Sequence, residues 1–167
     1  MKNNKKLCVV GAGRWGLNHI KTLKNLNALG GIVEEDNPKF ESLKSLYPEC
    51  QFFTCLDESF KSHFDGYVVS TPPSSHYSIA KQIIYNRTPV LVEKPLTLNY
   101  ADAIKLNNLA KSKNVNLMVG HLLLFHPAFK KIKDLIDKGT VGDIQYIYSN
   151  RLNLGSFRND ENVLWNF

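Results

Sequence analysis

The sequence predicts an α/β protein, a doubly wound parallel sheet with an incomplete second α/β domain behind it. Three observations carry this reading. Short apolar runs alternate with stretches of helical periodicity. The stretches between runs have the length that parallel crossovers need. The runs are continuous rather than alternating, as in strands covered on both faces.

The elements follow in order. Leu7-Cys8-Val9-Val10 is a first strand that runs into glycines. Trp15, His19, Ile20, Leu23 and Leu26 then recur at helical spacing. Gly31-Ile32-Val33 is a second strand, closed by Glu34, Glu35 and Asp36. Asn37-Pro38 signals a turn or helix entry, and Phe40, Leu43 and Leu46 continue as a helix. Gln51 to Thr54 reads as a third strand, and Tyr67-Val68-Val69 as a fourth, ended by Ser70-Thr71-Pro72-Pro73. Ile79, Ala80, Ile83 and Ile84 mark a helix that Ser74 or Ser75 is placed to cap. Val90-Leu91-Val92 is a fifth strand, stopped by Glu93-Lys94-Pro95. Asn99 is placed to cap the next helix, with Asp102 in its first turn and Ala103, Leu106 and Ala110 along it. Asn116 to Val119 is a sixth strand.

Residues 1–120 therefore read as one open α/β domain. After Gly120 the texture changes. Pro127 opens a helix carrying Phe129, Ile132, Leu135 and Ile136, and Gly139 ends it. Ile144, Tyr146 and Tyr148 alternate as a strand, and Arg151 to Phe167 offers one more. One helix and one or two strands cannot enclose a core. Residues 121–167 read as the beginning of a truncated second domain.

Composition excludes several classes. Apolar residues are 43% and charged residues 22%, which rules out disorder, collagen and coiled coil for the whole chain. A net charge of +6 permits anionic ligands without requiring nucleic acid. Lys5, Lys6, Lys130, Lys131 and Lys133 lie far apart and carry no aromatic stacking motif, so nucleic acid is not an expected partner. No apolar run reaches membrane-spanning length, the N-terminus is no signal peptide, and the protein is expected in the cytoplasm without a membrane partner. Three cysteines argue against a disulfide framework, and Cys8 falls within an apolar strand as a small core residue. Cys50 and Cys55 have no second pair at metal-ligand spacing, and no metal is expected.

Gly11-Ala12-Gly13-Arg14-Trp15-Gly16 fits G-x-G-x-x-G between a strand and a helix, the context in which that string is informative. Gly11 permits the tight turn, Gly13 lets the backbone approach a pyrophosphate, and Gly16 lets helix and strand pack. Arg14 and Trp15 fall on the same cofactor-binding turn. Glu35 follows Gly16 by about 20 residues and is placed to accept hydrogen bonds from a ribose, with Glu34 as the alternative. Consecutive acids repel a 2′-phosphate, so NAD is expected rather than NADP. Lys94 sits where a strand ends, with Pro95 restricting its backbone. It reads either as a surface lysine or as an amine that bonds a substrate hydroxyl and takes its proton. Thr71 and Pro72 stiffen a loop on the same sheet edge and are assigned to the cofactor side, together with His76. As a side chain, His76 reads as a helix-start or packing residue rather than a catalyst. His121 reads as a pocket residue and His126 as structural.

The order of the glycine motif, Ser70-Thr71-Pro72-Pro73 with His76, Glu93-Lys94-Pro95, and Gly120-His121 with Pro127 resembles the Gfo/Idh/MocA oxidoreductases. The resemblance implies a Rossmann domain, a second domain with an open sheet, NAD(H) or NADP(H), and oxidation of a secondary alcohol of a sugar or cyclitol. It implies that Lys94 touches substrate and nicotinamide, that Glu93 lies near the nicotinamide ribose, and that the Lys94–Pro95 peptide is cis. The stretch from Gly120 through Asn150-Arg151-Leu152-Asn153-Leu154-Gly155 is similar to the branch that oxidises nucleotide-activated amino sugars of the UDP-N-acetylglucosamine type for polysaccharide or lipid A synthesis. On that basis Arg151 and Asn153, with His121, are substrate-side residues. Family members are about twice as long and associate through their second domain, so a fragment with little activity alone and a homo-oligomer at full length are expected. A non-catalytic NAD-binding or regulatory module is the alternative.

Overall fold

The computed structural model describes residues 5–150. The chain divides into two compact units, Met1–Gly120 and His121–Phe167.

The first unit is a six-stranded parallel sheet in the order β3-β2-β1-β4-β5-β6. Its strands are β1 (Leu7–Val10), β2 (Leu29–Val33), β3 (Gln51–Phe53), β4 (Gly66–Val69), β5 (Val90–Val92) and β6 (Leu117–Val119). The helices between them are α1 (Arg14–Asn25), α2 (Asn37–Leu46), α3 (Leu56–Ser59), α4 (Pro73–Tyr85) and α5 (Tyr100–Lys113). The chain winds outward from β1 through β2 to β3, then returns to place β4 on the other side of β1.

Strand side chains alternate between the two faces. Cys8, Val10, Tyr67, Val69, Val90 and Val92 join Ala80, Ile83 and Ile84 of α4 and Leu106 and Ala110 of α5 in one core. Val9, Ile32 and Val68 join Ile20 and Leu23 of α1 and Leu43 of α2 in the other. Both faces are thus roofed, which explains the continuous apolar runs. On α1 the buried line is Gly16, Ile20 and Leu23, while Trp15 and Leu26 are exposed and His19 is partly buried. The roof thins at the edge, where Met118 on β6 is exposed.

Helix entries use several devices. Asp36 caps α2 by accepting from Lys39 N–H at 3.1 Å. Asn99 caps α5 through Ala101 N–H at 2.8 Å. Neither Ser74 nor Ser75 caps α4: Pro72 is its N-cap residue, and Ser75 Oγ turns to Thr71 Oγ1 (2.7 Å) and Pro72 O (2.8 Å). A proline at the first helical position has no N–H needing a cap. The short helix α3 was not legible, since one turn is too short to show a period.

In the second unit, a 3₁₀ turn (Leu122–Phe125) precedes α6 (Pro127–Asp137). His126 caps α6 through Nδ1, which accepts from Ala128 N–H at 3.2 Å. The strand expected at Ile144–Tyr148 is not formed: the segment has no regular structure and Tyr146, Ile147 and Tyr148 are exposed. Alternation makes a strand only where a neighbour completes its backbone hydrogen bonds. The strand expected beyond Arg151 lies outside the described residues. Among the described residues no helix is long and apolar enough to cross a membrane.

Ile83 is fully buried where α4 meets the sheet. Ile83→Ala is expected to lower stability by about 2–5 kcal/mol through lost burial and a cavity, read from urea unfolding.

Candidate functional site

Parallel pairing keeps five strand ends level. Val33, Val10, Val69, Val92 and Val119 are register partners in turn across β2, β1, β4, β5 and β6. The next residues carry the ladder one step further: Gly11 N–H donates to Val33 O (2.9 Å), Ser70 to Val10 O (2.9 Å), Glu93 to Val69 O (2.9 Å) and Gly120 to Val92 O (2.8 Å). Glu34, Gly11, Ser70, Glu93 and Gly120 therefore stand in one row along the carboxyl edge. Three strand spacings, about 14 Å, separate Glu34 from Glu93. The winding reverses between Gly11 and Ser70, the place where open α/β sheets bind ligands. Ser70 Oγ donates to Gly11 O across that gap at 2.8 Å.

The three motif glycines do different work. Gly11 has φ +86°, and a Cβ there would lie 2.8 Å from Thr71 Cγ2. A Cβ on Gly16 would collide with Gly11 O, so this glycine brings α1 down onto the turn. A Cβ on Gly13 would meet nothing within 4 Å. Gly13 is also the N-cap of α1, with no side-chain cap and no acid in the first turn. Exposed Arg14 and Trp15 open that turn. The first N–H groups of α1 and its positive dipole end are left for an anion.

The acids after β2 divide three tasks. Glu34 is buried, and its carboxylate accepts from Ala12 N–H (2.8 Å) and Asp36 N–H (3.0 Å). It therefore holds the glycine turn. Asp36 caps α2, and the Lys39 N–H and ammonium beside it hold its carboxyl below the usual range. Glu35 is exposed and lines the cleft. That cleft, about 730 Å³, runs from the glycine turn past Glu34, Glu35, Asp36 and Asp57 to Ser70, Thr71 and Pro72. Lys39 is its one basic lining residue among those described, and it is paired with Asp36.

At the other end of the row, Glu93 is buried and Lys94 partly so. Glu93 Oε1 lies 2.7 Å from His19 Nε2, and Oε2 accepts from Lys94 N–H at 3.2 Å. Burial pushes the Glu93 carboxyl up, but the His19 hydrogen bond and charge, with the Lys94 N–H, hold it below its ordinary value. A Cβ on Gly120 would come within 3.1 Å of that carboxylate. The Lys94–Pro95 peptide is cis.

His76 does not face the cleft. It is 1% exposed, with Nδ1 2.8 Å from Pro95 O and Nε2 2.8 Å from Thr71 O. A singly protonated ring donates to one carbonyl and a doubly protonated ring to both. Its ring nitrogens lie against backbone carbonyls of the loops after β4 and β5. His121 opens the second unit as an exposed residue. Arg151 and Asn153 lie outside the described residues. The sequence reading missed His19, whose signal was a polar residue beside the buried stripe of α1, and the structural work of Glu34.

Residues 5–121 match the oxidoreductase family described as having an NAD-binding Rossmann fold, Gfo/Idh/MocA. The chain belongs to this family. Inositol 2-dehydrogenase of Corynebacterium glutamicum is 24% identical over 149 residues, covering 86% of this chain and 44% of that protein. UDP-N-acetylglucosamine 3-dehydrogenase of Acidithiobacillus ferrooxidans is 25% identical over 144 residues, covering 86% and 44%. The scyllo-inositol dehydrogenase structure from Lactobacillus casei, with NAD(H) and scyllo-inositol, aligns with a TM-score of 0.78 at 19% identity, covering 84% of this chain and 43% of that one. The chain thus spans less than half the length of these relatives. NAD is the cofactor of the Rossmann domain. The open approach at Gly13, the uncapped α1 and the acidic cleft fit it.

Gly13→Ala is expected to keep stability within about 1 kcal/mol, since its Cβ meets nothing, yet to weaken NAD binding at least tenfold. Gly16→Ala should instead destabilise the fold by about 3 kcal/mol or more. Calorimetric NAD titration and urea unfolding of both variants separate the two roles. A carboxyl held below its ordinary value stabilises the fold above that value, and this is lost as pH falls through the lowered one. Glu93→Gln should therefore cost about 1–3 kcal/mol at neutral pH, a gap that closes below about pH 4 in urea unfolding across pH.

Proposed function

We propose that this chain serves an NAD-dependent dehydrogenase that oxidises a secondary hydroxyl of a sugar, with a nucleotide-activated amino sugar as the substrate. The observation that carries the reading is the single row of strand ends. It sets the glycine turn and acidic cleft at one end and Glu93-Lys94 at the other. Gly13 and the first N–H groups of α1 hold the pyrophosphate, and Glu35 accepts hydrogen bonds from the adenosine ribose. Thr71 and Pro72 wall the cleft between the two ends. The bound cofactor supplies the hydride acceptor. Lys94 bonds the substrate hydroxyl and receives its proton. Arg151, Asn153 and His121 belong to the substrate side, and the reaction takes place in the cytoplasm.

Two relatives support this substrate class. One is named for UDP-N-acetylglucosamine, and a Bordetella pertussis dehydrogenase of TM-score 0.78 was crystallised with NADH and UDP-GlcNAcA. Inositol dehydrogenases among them favour a second reading, a cyclitol, which shares the secondary alcohol.

NAD is expected to bind at least tenfold tighter than NADP, because the carboxylates that line the cleft would repel the added phosphate. Competitive titration checks this, and equal affinities overturn it. In a full-length version of the enzyme, Lys94→Ala should lower alcohol-dependent NADH formation at least hundredfold. Unchanged turnover in that variant favours a non-catalytic NAD-binding module.

A further inference from the structure

We infer that His19 is a positioning residue, which links the helix that receives the pyrophosphate to the strand end that carries Lys94. The inference rests on the reading above, in which the cofactor spans both ends of the row. His19 lies on α1, one turn beyond Gly16, and α1 begins at the glycine turn. Its Nε2 meets Glu93 Oε1 at 2.7 Å, and both side chains are largely withdrawn from solvent, at 20% and 9% exposure. The other Glu93 oxygen accepts the Lys94 N–H, and Gly120 packs against the same carboxylate. Glu93 is therefore held on three sides, and His19 is the contact that comes from the phosphate-binding helix.

The opposite face of the sheet contributes a matching hold. His76, on α4, lies between the carbonyls of Pro95 and Thr71, with a ring nitrogen 2.8 Å from each. The segment 93–95 is thus fixed by one histidine from each helical layer. Losing His19 leaves the glycine turn, Glu34 and Glu35 intact, because none of them bonds to it. It frees the Glu93 carboxylate to turn and loosens the backbone that aims Lys94. The defect should fall on the nicotinamide half of the cofactor and spare the adenosine-pyrophosphate half.

The test compares NAD with ADP, which lacks the nicotinamide riboside, by calorimetric titration of the full chain. Variants are His19→Ala and His19→Gln, the latter retaining an N–H donor near the position of Nε2, with folding checked by urea unfolding. His19→Ala should weaken NAD about tenfold and change ADP less than twofold, and His19→Gln should recover most of the loss. Equal weakening of NAD and ADP, or no change in either, overturns the inference. Failure of His19→Gln to recover NAD affinity where His19→Ala lost it also overturns it. A wild-type chain that binds NAD no tighter than ADP overturns the underlying reading, and the role of His19 with it.

Discussion

Register across the parallel sheet is the constraint on which the site depends. Each strand stops at the same height as its neighbour, so the residue after each stop is delivered to a common edge. Backbone hydrogen bonds, not side-chain chemistry, thus set the separation between the acidic end and the lysine end. Shifting one strand would also send its buried side chains to the wrong core. The two apolar cores of the first unit therefore guard the geometry of the polar edge.

Around that edge, buried polar groups act as ties. Glu34 joins the end of β2 to the glycine turn, Ser70 joins β4 to the same turn, and His76 joins the loops after β4 and β5. Each tie satisfies backbone groups that loops would otherwise leave bare. Among the described residues no buried side-chain polar atom lacks a partner. The edge is tied at Glu34 and Ser70, and open at Gly13.

Much of this was legible in the sequence, for identifiable reasons. Six apolar runs and the glycine motif are local signals, and the fold follows from them. The places of Lys94 and Glu35 in the fold were legible because each stands two residues past a strand end. The partition of work between Glu34 and Glu35 was not, because adjacent acids differ only in which way the chain turns each one. His19 was hidden because its partner lies 74 residues away. The missing strand at Ile144–Tyr148 shows the limit of alternation, which reports a side-chain pattern and not the neighbour that must pair with it.

The burial of Glu34 beside the exposure of Glu35 has an evolutionary consequence. One carboxylate is part of the scaffold, and its neighbour is free to vary without loosening the turn. Substitution at position 35 alters the lining of the cleft while the supporting architecture stays constant. The lining of the cleft and the stability of the turn are thereby written on separate letters of the chain.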